Sequence, residues 1–214
     1  ILGQWLQTKP RESIILASKV AGAANGWFVP PIRHGLTAID RFHIQRAVEG
    51  SLKRLKTDYI DLYQVHWPDS IIPKEESMRA LDELVKSGKV RYIGTSNDTA
   101  YGLTKSNTIA KYEKLARFES IQNNFSLLNP RFLDELSTVC KTEKISLLPY
   151  SPIGGGVLSG KYNQAFIDPK SRFGEYLHAK ESRQKAMYHR FVNDKTLKAT
   201  AKYLEIAKKY DMHP

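Results

Sequence analysis

Cysteine is almost missing from this chain: Cys140 is the only one in 214 residues. An internal disulfide is therefore excluded, and the fold must rest on packing and polar contacts, as suits a reducing compartment. Long apolar runs are missing as well. No stretch approaches the roughly 18 consecutive apolar residues of a membrane-spanning helix. An apolar share of 41% beside a charged share of 26% is that of an ordinary soluble domain, so no membrane partner is expected. The opening residues, Ile1 to Gln7, carry neither an initiator Met nor the basic, apolar and small-residue zones of a secretory leader. The expectation is a chain that starts inside an element, is shortened, and resides in the cytoplasm.

Acid is in short supply, with 33 Lys and Arg against 22 Asp and Glu and a net charge of +11. Such a field attracts phosphate. Yet the basic residues are spread among acids, as at Lys53, Arg54, Lys86, Lys105, Lys111, Lys208 and Lys209, with no sustained basic run and no nucleic-acid motif. A solvated basic surface is expected rather than a nucleic-acid partner, and no metal site is expected.

What is present is an alternation of strand-like and helix-like stretches. Ser13 to Val20 is a short apolar run, followed by Gly22, Gly26 and the Pro30-Pro31 pair, which read as a long loop. Asp40 is a candidate N-cap for an amphipathic helix with Ile44, Val48, Leu52 and Leu55 on one face. Asp58 to Val65 has no helical period and ends in His66-Trp67-Pro68, where proline stops the strand and leaves a titratable ring at its rim. A helix around Leu81 and Leu84 is stopped by Gly88, and Val90 to Asn97 is the next strand. A polar helix spans about 101–115, a strand 120–126, a helix carries Phe132, Leu136 and Cys140, a strand spans 145–151, and a final helix carries Leu197, Ala201 and Leu204.

Strands alternating with helices imply right-handed crossovers and a parallel sheet. No Gly-x-Gly-x-x-Gly follows any strand, whereas Lys19, His66, Ser96, Asn97, Gln122, Tyr150 and Ser151 stand at or near strand ends. That is how a (β/α)8 barrel builds its active face. The expected fold is α/β of the (β/α)8 TIM-barrel type, incomplete, with about five of eight units in a single domain over 1–214.

The chain resembles the aldo-keto reductases, in particular their bacterial-type NADP(H)-dependent group. The resemblance rests on Leu16-Ala17-Ser18-Lys19-Val20, on Ser51 through Pro68, on Gly88 through Asn97, on Ile121-Gln122-Asn123, and on Pro149-Tyr150-Ser151-Pro152 through Leu158-Ser159-Gly160-Lys161-Tyr162. It implies hydride transfer from NADP(H) to a small carbonyl substrate, with a tetrad of Asp, Tyr, Lys and His. Lys19 and His66 match the tetrad lysine and histidine.

By the same resemblance, Ser96, Asn97 and Gln122 bind the nicotinamide carboxamide and Tyr150 stacks beneath its ring. The loop with Ser151, Ile153, Gly154, Leu158, Gly160 and Lys161 takes the pyrophosphate, and Arg172 lies along the cofactor. No stretch matches the tetrad's Asp and Tyr, which the resemblance places before Ile1. These 214 residues alone are therefore expected to turn over at or near background, and if another tyrosine serves as donor, Tyr63 and Tyr101 are the ones to test. A remnant that binds nucleotide or a protein partner without catalysis is the alternative. The oligomeric state and the physiological carbonyl are not legible in the sequence.

Overall fold

A computed structural model describes residues 1–22, 38–164 and 166–213. The glycine and proline loop after Gly22, with Gly26 and Pro30-Pro31, lies outside the described residues. The elements in chain order are α1 (Leu2–Leu6), β1 (Ala17–Val20), α2 (Arg41–Leu55), β2 (Ile60–Val65), α3 (Lys74–Lys86), β3 (Val90–Ser96) and α4 (Ala100–Glu113). They continue with β4 (Phe118–Gln122), α5 (Leu136–Glu143), β5 (Ser146–Leu147), α6 (Arg172–His178), α7 (Ser182–Phe191) and α8 (Asp194–Lys209). The chain falls into two compact units, one of residues 1–123 and 135–148, the other of 124–134 and 149–214.

The first unit is a five-stranded sheet of spatial order β1-β2-β3-β4-β5, parallel at every pairing. Strands next to one another in sequence are neighbours in space, as the barrel reading requires, and among the described residues the sheet is not closed: β1 and β5 are its edges. Its core combines Ile60, Tyr63, Ile93 and Ile121 of the strands with Ile44 and Val48 of α2, Met78 and Leu81 of α3 and Leu103 of α4, all nearly or fully buried.

Helix starts follow local chemistry. Asp40 caps α2 by accepting from the His43 amide, and Thr99 caps α4 by accepting from that of Gly102. The ends of α2, α4 and α5 share one device, a lysine in the left-handed region at Lys56, Lys114 and Lys144 that turns the chain toward the next strand.

Strand bounds differ from expectation for physical reasons. β1 starts four residues late because Arg11 to Ser13 form a 3-10 turn and the Leu16 amide is taken by the Asp61 carboxylate rather than by a neighbouring strand. β5 keeps two residues because Pro149 has no amide to continue the ladder after Leu148 donates to the Ile121 carbonyl. β4 runs over 118–122 instead of 120–126.

Asp61 is the electrostatic knot of this unit. Its carboxylate, 6% exposed, accepts from Arg11 at 2.7 Å, from Arg91 at 3.1 Å and from the Leu16 amide at 2.9 Å. Burial pulls its pKa up, but the Leu16 amide and the two guanidiniums outweigh that pull, so the carboxyl sits below its ordinary value.

In the second unit, Phe173 is fully buried with Val157, Tyr162 and Val192. Its ring meets those of Tyr162 at 5.3 Å, Phe191 at 5.5 Å and Tyr176 at 5.8 Å, which ties α6 and α7 to the glycine-bearing segment.

Asp61→Asn should destabilise the fold by about 2–4 kcal/mol in urea unfolding at neutral pH, because two arginines lose a buried anion. A carboxyl whose folded pKa is depressed contributes above its unfolded value, and that contribution is lost as pH falls through the folded one. The gap between the native chain and the variant should therefore start to narrow below about pH 4, where the unfolded carboxyl begins to protonate. An equal gap at pH 3 and pH 7 would contradict the knot.

Candidate active site

The site is built by parallel pairing, which lines up the ends of successive strands. Lys19 stands opposite Gln64, Val20 opposite Val65, and the His66 amide donates to the Val20 carbonyl at 2.9 Å, so the Lys19 and His66 backbones are held at one end of the β1–β2 ladder. Both side chains are half-buried. Burial, and next the Lys19 charge, hold the His66 imidazole below its ordinary pKa. Burial also lowers Lys19. A neutral imidazole with an ammonium close enough to bias it is therefore present at this rim.

The next strand end is tied to the same point. Asn97 takes a left-handed conformation at φ 54°, and its Nδ2 donates to the His66 carbonyl at 2.9 Å and to Ser96 Oγ at 3.1 Å. Ser96 Oγ donates to the Gln122 carbonyl at 2.7 Å, and the Asn97 amide reaches the same carbonyl at 3.1 Å. Asparagine tolerates this backbone better than most residues, which reconciles its turn-forming role with its position. His66, Ser96, Asn97 and Gln122 thus form one hydrogen-bonded chain across the ends of β2, β3 and β4, with Lys19 on β1 beside it.

The remaining predicted residues belong to the second unit. Tyr150 forms a parallel bridge with Asn124, and its phenol is raised by burial, partly offset by the Arg190 charge. Arg190, exposed near the end of the polar helix α7, escaped the sequence reading. Ser151 is left-handed at φ 53°, and a 3-10 stretch over Gly154–Ser159 follows. Gly154 and Leu158 are buried, whereas Ile153 is 53% exposed.

The glycines also serve packing. A Cβ on Gly155 would stand 2.9 Å from the Phe173 ring, and one on Gly160 would stand 2.6 Å from Leu204 of α8. Around this run lie two cations: Lys161 Nζ is 3.3 Å from where a Gly156 Cβ would be, and an Arg172 nitrogen is 3.9 Å from the Gly155 one. Ser171, the residue before Arg172, caps α6 through the Gly174 amide. Neither cation has a carboxylate partner among the described residues. A basic, glycine-lined segment of this kind suits an anionic phosphate group.

Both tyrosines named as replacement proton donors are poorly placed for that work. Tyr63 is fully buried within β2 with its phenol pushed up by burial, and Tyr101 is 70% exposed on the first turn of α4.

Comparison with known proteins decides the lineage. The profile described as the Aldo/keto reductase family matches residues 1–214. The chain belongs to the aldo/keto reductase family. It is 36% identical to Protein tas of Escherichia coli (strain K12), over all of this chain and 64% of that protein. It is 37% identical to the aldo-keto reductase YhdN of Bacillus subtilis (strain 168), over 79% of this chain and 51% of that one. It is 31% identical to an aldo-keto reductase of Babesia bovis, over 78% of this chain and 68% of that one. The chain thus spans slightly under two thirds of Protein tas and about half of YhdN. Among the described residues no helix is long and apolar enough to cross a membrane.

If the Lys19 charge depresses His66, Lys19→Met should move the His66 pKa up toward the ordinary imidazole range, while Lys19→Arg should leave it low. A pH titration of the His66 ring protons by NMR reads this directly. Indistinguishable titrations in all three proteins would show that the two side chains do not interact.

Proposed function

We propose that the protein carrying these 214 residues is an NADPH-dependent reductase that converts an aldehyde or ketone to the alcohol. What supports the reading is the electrostatic coupling of Lys19 and His66 at neighbouring strand ends, in a chain of the aldo/keto reductase family. The two units are read as parts of one barrel domain, since one family profile spans both.

The cofactor, when bound, supplies the hydride. Ser96, Asn97 and Gln122 hold its nicotinamide carboxamide, for which an amide and a hydroxyl at adjacent strand ends are suitable partners. Tyr150, by family resemblance, would supply the aromatic surface for the ring. Ser151, Ile153, Gly154, Leu158 and Gly160 form the phosphate-binding segment, and Lys161 and Arg172 supply positive charge to it. The glycine-lined segment with two cations that have no carboxylate partner among the described residues is the feature that fits the group.

His66, held neutral, donates a hydrogen bond to the substrate carbonyl oxygen and stabilises the negative charge that develops there. Lys19 lowers the pKa of the acid that protonates that oxygen. In the family's tetrad this acid is a tyrosine, which no motif of these 214 residues matches. A neutral histidine is the useful state, because an imidazolium would compete with that acid for the proton-transfer role.

In the protein that carries this stretch, Lys19→Met and His66→Ala should each lower kcat for a reactive aldehyde such as 4-nitrobenzaldehyde by about 10²- to 10⁴-fold while NADPH binding persists. Lys161→Ala should weaken NADPH binding about 10-fold, with a smaller dependence on salt than the parent. Binding is read from nicotinamide fluorescence and turnover from absorbance at the reduced-cofactor band. Unaltered turnover in both tetrad variants would refute the assignment.

A further inference from the structure

One layer of the sheet departs from what a barrel interior ordinarily contains. Parallel register places Lys19 opposite Gln64, Gln64 opposite Gly94, and Gly94 opposite Ser120, so these four residues share one face. The alignment is not automatic. A register irregularity after Ile93 skips Glu119 and brings Ser120 level with Gly94. Barrel interiors are normally packed with bulky branched side chains, yet this layer reads Lys, Gln, Gly, Ser.

Two of its polar atoms are orphaned. Among the described residues, Gln64, 1% exposed, has no hydrogen-bond partner for its Nε2, and Ser120, 5% exposed, has none for its Oγ. Both side chains lie over Gly94: a Cβ there would stand 2.5 Å from Ser120 Oγ and 3.4 Å from Gln64 Cγ. Glycine is required because Ser120 already occupies the space its Cβ would fill, with Oγ at 2.5 Å and the backbone carbonyl at 3.0 Å, while Gln64 Cγ stands at ordinary contact distance. A buried carboxamide without partners is costly, and an apolar residue of the same size would pack in its place without that cost. Its presence beside the one ammonium of the layer therefore calls for a role.

We propose that Gln64 is a positioning residue for Lys19. Register sets its carboxamide opposite Lys19, where Oε1 would accept from the ammonium, and a side-chain rotation over the opening left by Gly94 would bring Nε2 to Ser120 Oγ; neither bond is made in the structure. The arrangement fixes the ammonium beside His66 without bringing in a second carboxylate, which would quench the positive charge that the site uses. His66 is the titratable group that faces Lys19 across β1 and β2, and its own pKa is lowered by burial and by the Lys19 charge. The role rests on the reductase reading above, whereas the geometry does not.

The test titrates Lys19 in protein labelled with ¹³C at the lysine Cε, without cofactor or substrate, for the parent, Gln64→Met, Gln64→Glu and Ser120→Ala. Gln64→Met should lower the Lys19 pKa by removing an acceptor for the charged form, Gln64→Glu should raise it, and Ser120→Ala should lower it by less than Gln64→Met. In turnover, Gln64→Met should reduce kcat on the order of 10-fold with KM within about twofold, as expected for a misplaced rather than missing group. Lys19 titrating identically in all four proteins overturns the proposal, whatever their activity. Should Gln64→Met not fold, the Ser120→Ala and Gln64→Glu titrations decide alone. Should neither parent nor variants of the protein that carries this stretch reduce aldehydes while the Lys19 shifts appear, the reductase reading fails and the positioning of Lys19 stands.

Discussion

Backbone register between parallel strands is the constraint on which the rest of this structure depends. One pairing, Val20 with Val65, carries the His66 amide to the Val20 carbonyl and so brings an imidazole and an ammonium to one rim. The next two pairings set Ser96 and Gln122 level with each other and let Asn97 close onto the His66 carbonyl. A one-residue slip in β2 would send His66 and Gln64 to the opposite face and dissolve both the rim and the polar layer beneath it. Asp61 secures that register from the other end of the strand, where it clamps Arg11, Arg91 and the Leu16 amide.

Electrostatics follow from this geometry. Partial burial makes each charge at the rim count for more than it would in water, and the first effect is on the charged groups themselves: Lys19 and His66 are both biased toward their neutral forms. In the second unit the solution is different, since Lys161 and Arg172 lie close to glycine backbone, where an anion can approach amides and cations together. The two units thus offer separate chemistries, a hydrogen-bonding rim and a basic glycine-lined segment.

Much of the first unit was legible in the sequence because its signals are local. Asp40 caps the helix it was expected to cap, Pro68 ends the stretch after His66, and strand-end polar residues pointed to a barrel rim. What was not legible depends on partners distant in sequence or on weak patterns. The role of Asp61 needs Arg11 and Arg91, each at least 30 residues away. Gln64 reads as an ordinary strand residue until Gly94 and Ser120 are set beside it. Helices α6 and α7 are short and polar, and their only signal is a pair of aromatics three residues apart, Phe173 with Tyr176 and Tyr188 with Phe191. The family resemblance assigned the glycines from 154 to 160 to phosphate, but the ring and leucine packed against Gly155 and Gly160 were invisible without the fold.

The central claim is that the rim at Lys19 and His66 serves hydride transfer from a nicotinamide to a carbonyl carbon. The most direct measurement is isotopic: the protein carrying this stretch is given NADPH with deuterium at both C4 positions and 4-nitrobenzaldehyde, and the product alcohol is analysed by mass spectrometry and NMR. The account predicts a single deuterium on the carbinol carbon. An unlabelled alcohol, or none, would contradict it.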